Sequence, residues 1–258
     1  MRRDVVFMTM ALASLLAGNA NAQGPCAALP DHATLKAQLT AARAAGNGGF
    51  GLDMWATVVN RDGIVCAVAF TGGDRGDQWP GSRVISAQKA NTANAFSLPG
   101  LALSTANIYS AVQPGGSLFG LQHSNPVDTE LAYRGSPNNY GQPNDPMVGG
   151  RIGGVNVFGG GLGLYDADGV LVGAIGVSGD TSCADHNIAW RARHGLNLDF
   201  VPGGVSGDPA HPDNIVFDIT PQAGQMPGVS ASGWGHPNCG PGQPAGEAAL
   251  AAGLPPTQ

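Results

Sequence analysis

Apolar residues in this chain fall into short runs with two spacings, and these divide it into helices and strands. Leu35, Leu39 and Ala42 share one helical face between Asp31, a capping residue, and Gly46, a stop; they predict a helix over Asp31 to Gly46. Met54–Val59 and Ile64–Phe70 are β-rich runs joined by Asn60-Arg61-Asp62-Gly63, a hairpin signal. Ser82 to Phe96 sets Ala87, Ala90 and Ala93 at i, i+3 and i+6, which predicts a helix. Its stripe of small side chains lets it lie very close to a sheet. Ser104 to Val112 reads as a shorter helix, ended by Pro114-Gly115-Gly116. Val155–Phe158 and Leu162–Tyr165 have strand character on either side of a Gly159-Gly160-Gly161 corner. Asp168-Gly169 is a hairpin dipeptide leading into Val170–Val177, an apolar run of β-branched residues. Gly173 and Gly176 deprive that strand of packing side chains, which points to close approach by another backbone or a ligand. Ser182-x-x-Asp185 has the spacing of a capping box before a helix over Ala184 to His194, and Asn214–Ile219 reads as the last strand. The two hairpins and the last strand make five strands; hairpins favour antiparallel pairing, so these strands with helices on their faces predict one α+β domain.

Three segments lack such periodicity. Residues 1–22 carry a basic start at Arg2-Arg3, an apolar Val5–Ala17 and a small-residue site at Ala20-Asn21-Ala22, the pattern of a signal peptide. The apolar run is too short for a comfortable membrane span, so the expected location is periplasmic or secreted, without stable membrane insertion. Residues 124–146 are rich in Asn, Pro, Gly and Asp and read as an inserted loop, functional or mobile as such long loops usually are. Residues 221–258 form a Pro/Gly/Ala-rich tail with no core pattern, expected to be extended or disordered. The domain is thus expected over residues 23–220.

Composition narrows the partners. With 41 Gly, 19 Pro and 12% charged residues the chain is loop-rich. Its formal charge of −6 and only two lysines, Lys36 and Lys89, leave no basic stripe for nucleic acid. Four cysteines in an exported chain allow three disulfide pairings, and spacing does not choose among them. The expected set is Cys26–Cys66, which clips the N-terminal arm to an early strand, and Cys183–Cys239, which clips the tail to the central loop.

Several chemistries can be tested against the residues. No phosphate-loop motif is present, and Asp166 stands where GxGxxG requires its last glycine. Gly176-Val177-Ser178-Gly179-Asp180 approaches a nucleophile elbow, with Ser178 as the serine of a hydrolase, but Asp180 replaces the second glycine. An iron ligand would come from six histidines. His186 is best placed, at a helix start beside the Gly-rich strand, and His123 lies in the irregular region. Without CxxCH, haem would not be covalently attached.

Two stretches carry a resemblance. Ala87-Gln88-Lys89-Ala90-Asn91-Thr92-Ala93-Asn94-Ala95-Phe96, and Asp168-Gly169 through Gly173, Gly176, Ser178 and Gly179 to Asp185, resemble in order the two signatures of the GlcG/HbpS-like haem-binding and haem-degrading proteins. The resemblance covers roughly residues 31–200, interrupted by the insertion. It implies a profilin-like three-layer α/β/α domain with a five-stranded antiparallel sheet, a tendency to form homo-oligomers, and binding of a tetrapyrrole. The ligand is usually haem, with iron release in some members, and a corrinoid is the alternative. The matched positions Lys89, Thr92, Gly176, Ser178 and Asp185 are the implied pocket residues, with Lys89 offered to a propionate and His186 or His123 to iron. Such a chain is more a binding protein than a classical enzyme. A hydrolase using Ser178 and a non-catalytic structural or redox-protective oligomer are the competing readings.

Overall fold

The computed structural model describes residues 24–240 and 247–258; the expected signal peptide lies outside the described residues. The chain opens with α1 (His32–Ala44), whose N-terminus is capped by Asp31 accepting the Thr34 N–H at 2.8 Å. Strands β1 (Trp55–Asn60) and β2 (Val65–Phe70) form the expected hairpin, and α2 (Ser82–Phe96) follows. Two 3-10 turns, Thr105–Ile108 and Ser110–Val112, stand where one short helix was predicted. Two single-turn helices, α3 (Leu121–Ser124) and α4 (Thr129–Ala132), precede β3 (Gly161–Tyr165), β4 (Leu171–Ser178) and α5 (Ser182–Gly195). A β5–β6 hairpin (Ile219–Gln222 and Gln225–Ser230) and α6 (Glu247–Ala252) end the chain. Among the described residues no helix is long and apolar enough to cross a membrane.

The main sheet has four antiparallel strands in the order β2-β1-β4-β3. Alternation along β1 sends Ala56 and Val58 to the face covered by α1 and α5, where Leu35, Leu39, Ile175, Val177 and Ile188 are buried. Trp55 and Val59 point to the α2 face with Ala87, Ala90 and Ala93. These are three layers, α/β/α. The alanine stripe works as expected because the sheet beneath it is glycine. Gly161 and Gly176 are cross-strand partners, and a Cβ on Gly176 would overlap the Ser86 carbonyl and the Ala90 nitrogen. The close approach at Gly176 is therefore by the α2 backbone.

Val155–Phe158 forms no strand, since Val155 and Val157 pack with Ile108 and Val112 instead, and two further sequence expectations fail for identifiable reasons. The fifth strand, placed over Asn214–Ile219, does not join the sheet; β5 starts at Ile219 and pairs only with β6. Asp213 and Asn214 turn inward instead. Arg193 clamps Asp213 with Nη1–Oδ2 at 2.6 Å and Nη2–Oδ1 at 2.8 Å, and Asn214 donates to Ala251 O. With these side chains tied to α5 and α6, the stretch lies off the sheet and pairs with none of its strands. The C-terminal region is also structured where it is described: Leu254 is buried in the α1/α5 core, and Trp190 Nε1 donates to Pro255 O at 2.8 Å.

The 124–146 insertion is irregular but anchored. Leu131 and Ala132 pack with the α2 face, and the buried Arg83 pairs with Asp145, donates to Ala132 O and stacks on Tyr140 at 3.6 Å. Both disulfides are present, Cys26–Cys66 and Cys183–Cys239.

Candidate functional site

The α2–β4–α5 junction opens into a cavity of about 780 Å³. Its wall is apolar, formed by Phe50, Trp79, Ile85, Tyr109 and Phe158; Phe50, Trp79 and Phe158 are large side chains left substantially exposed at its rim. Into it face Lys89, Ser178, Ser182, Asp185 and His236. Exposed aromatics gathered around one concavity are the kind of surface at which ligands or partners are commonly bound.

Lys89 and Asp185 are joined. Lys89 Nζ donates to Asp185 Oδ2 at 2.7 Å and to Val177 O at 3.1 Å, with both side chains almost fully buried. Burial pushes the Asp185 carboxyl up to about 6, while Lys89 and the Asp180 N–H pull the other way. Asp185 does not complete a capping box. Thr181 is the cap, accepting the Ala184 N–H, and Asp185 Oδ1 accepts the N–H of Asp180. Asp180 in turn accepts from the backbones of Phe50 and Leu52 at 2.9 Å each and so moors the rim. That is the physical use of the aspartate that replaces glycine in the elbow-like motif.

The remaining sequence candidates separate. Ser178 lines the cavity, but its described hydrogen-bond partner is Ser82 Oγ at 3.3 Å; no described histidine serves it as base. Thr92 is a buried residue of α2, donating to Gln88 O and accepting the Asn156 N–H, and Gly176 is a packing position. Neither lines the cavity. His123 is exposed on α3, away from the cavity-lining set. His186 is fully buried with Nε2 3.1 Å from Asn214 Oδ1, and burial lowers its pKa to about 4; it does not reach the cavity either. The two histidines expected to serve iron are thus both outside the cavity. The histidine inside it is His236. Sequence reasoning counted it among the six histidines without singling it out, although it lies three residues before Cys239, whose expected partner Cys183 lies in the first turn of α5.

Residues 31–194 match the family described as haem degrading protein, HbpS-like, a span covering well over half the chain. The chain belongs to the HbpS-like family. The HbpS-like region contributes α2, β4 and α5 to the cavity, whereas His236 through Cys239 come from beyond it. No curated protein matches the chain. Among solved structures it is similar to that of a PduOC–haem complex, at 22% identity and a TM-score of 0.46 over 66% of this chain and 96% of that one. It is similar also to Klebsiella pneumoniae protein ORFY, at 25% identity and 0.43 over 65% and 90%. A third is HbpS, at 17% and 0.39 over 64% and 86%.

Proposed function

We propose that the protein is an extracytoplasmic haem-binding protein and that the aromatic-walled cavity is its haem site. The observation that carries the reading is the cavity itself, in an HbpS-like chain, at the meeting point of the two signature stretches. Its volume lies within the roughly 300–1,000 Å³ usual for ligand sites, and a mostly apolar lining with few convergent polar groups suits a flat macrocycle. Haem, when bound, supplies a redox-active iron. Export is supported by the two disulfides, which persist in oxidising compartments.

The residues do not all take the roles the resemblance implied. Lys89 is engaged by Asp185 and Val177 O, so its part is to hold the α2–α5 junction rather than to meet a propionate. Without a base at Ser178, binding is favoured over hydrolysis.

Titration of the mature, oxidised protein with haemin tests this. A Soret shift with saturable quenching of tryptophan fluorescence is expected, and Phe158→Glu, at the rim, should weaken both. Absence of a Soret shift at micromolar haemin refutes the reading, and tighter binding of cobalamin in a parallel titration would replace haem with a corrinoid.

A further inference from the structure

The C-terminal segment brings one histidine to the cavity and holds it in a fixed orientation. His236 is buried, and its backbone N–H donates to Val216 O at 2.8 Å. Its Nδ1 lies 2.7 Å from Pro237 O. A carbonyl can only accept, so Nδ1 carries the proton and Nε2 is left with its lone pair. Nε2 faces Ser182 Oγ at 3.3 Å, a long contact to a hydroxyl that can rotate away. Three residues on, the Cys183–Cys239 disulfide ties the segment to the first turn of α5, and the Cys239 N–H is held by the Glu247 carboxylate at 2.9 Å. The Tyr109 ring packs against the imidazole with centroids 5.1 Å apart.

We infer that His236 is the protein's iron ligand, supplied by the segment beyond the HbpS-like region; this rests on the haem reading above. A metal-ligating histidine characteristically donates its other ring N–H to a carbonyl or carboxylate, which sets tautomer and ring orientation. His236 already has that arrangement. The other five histidines lack either position or a free nitrogen. His32 Nε2 bonds Gly141 O, His194 pairs with Asp199, and His211 is held by Asp208 and Leu254 O. His123 and His186 lie outside the cavity lining. Lys89, the other nitrogen donor in the cavity, is occupied by Asp185.

The test compares haemin-loaded wild type with His236→Ala and His236→Gln. Binding is followed by quenching of tryptophan fluorescence, and ligation by electron paramagnetic resonance of the ferric form and the iron–histidine stretching band of the ferrous form. In wild type the histidine signature should be present. It should vanish in both variants, return in His236→Ala on adding free imidazole, and be accompanied by a loss of haemin affinity of at least about tenfold, the scale on which even outer-shell changes act. Imidazole rescue shows that the cavity survived the substitution, and His236→Gln offers a second variant if alanine does not fold. Variants that bind haemin at wild-type stoichiometry with unchanged signatures overturn the ligand assignment and leave the haem reading standing. Wild type that binds no haemin overturns both.

Discussion

Replacing Lys89 by methionine removes the cation from a buried pair while keeping the volume of its side chain. The Asp185 carboxylate then faces the interior with only the Asp180 N–H for compensation. Breaking one side of a buried ion pair costs about 3–5 kcal/mol, which at roughly 2–4 °C per kcal/mol for a chain of this size lowers the melting temperature by about 10 °C. The loss must depend on pH. Asp185 is already held at about 6 in the folded protein, against 3.8 for the free group. A raised folded pKa means that the folded state binds the proton more tightly. The stability this group contributes is fully present below the unfolded value and is lost as pH rises through the folded one. Without Lys89 the folded value climbs further, so the variant's deficit should grow with pH. Where the acid is neutral, only the volume-conserving swap remains, worth less than about 1.5 kcal/mol. Urea unfolding under oxidising conditions near pH 4.5 and near pH 7.5 measures both ends. Lys89→Met/Asp185→Leu should recover most of the loss at the higher pH. An equal loss at both pH values would refute the reasoning.

Two further outcomes follow from the packing. Gly176→Ala should destabilise by about 1–3 kcal/mol or more, because the new methyl meets the α2 backbone rather than a yielding side chain; a wild-type melting curve would show that α2 lies further from the sheet. Cys183→Ser/Cys239→Ser opens a link spanning 56 residues, a change of about 4 kcal/mol by chain entropy. It should also weaken haemin binding, since His236 loses its tether; unchanged affinity in the titration would detach the segment from the site.

The elements set by local periodicity could be read from the chain directly. Asp31 caps α1, the Asn60–Gly63 turn joins β1 to β2, and the alanine stripe of α2 and the glycines of β4 each announced a close approach, all within the reach of short-range patterns. What escaped depended on partners distant in sequence. The spacing of Ser182 and Asp185 suited a cap, but Lys89, 96 residues earlier, takes the carboxylate. Asn214–Ile219 had strand composition, yet Arg193 and Ala251 hold its start in another conformation. His236 escaped because the tail has no period. The signal was Cys239, since a cysteine paired to the start of α5 must carry its neighbours to the mouth of the cavity.

The Cys183–Cys239 bridge makes residue 220, the domain end expected from the sequence, a poor place to divide this protein. A chain ending at residue 220 would keep every strand of the main sheet and all of α5, and so would retain the outline of an HbpS-like domain. It would also present an unpaired thiol at the first turn of α5 and leave open the side of the cavity that residues 236–239 close. Such a shortened protein would be prone to dimerise through Cys183, and an assembly seen with it would report the cut rather than the native chain.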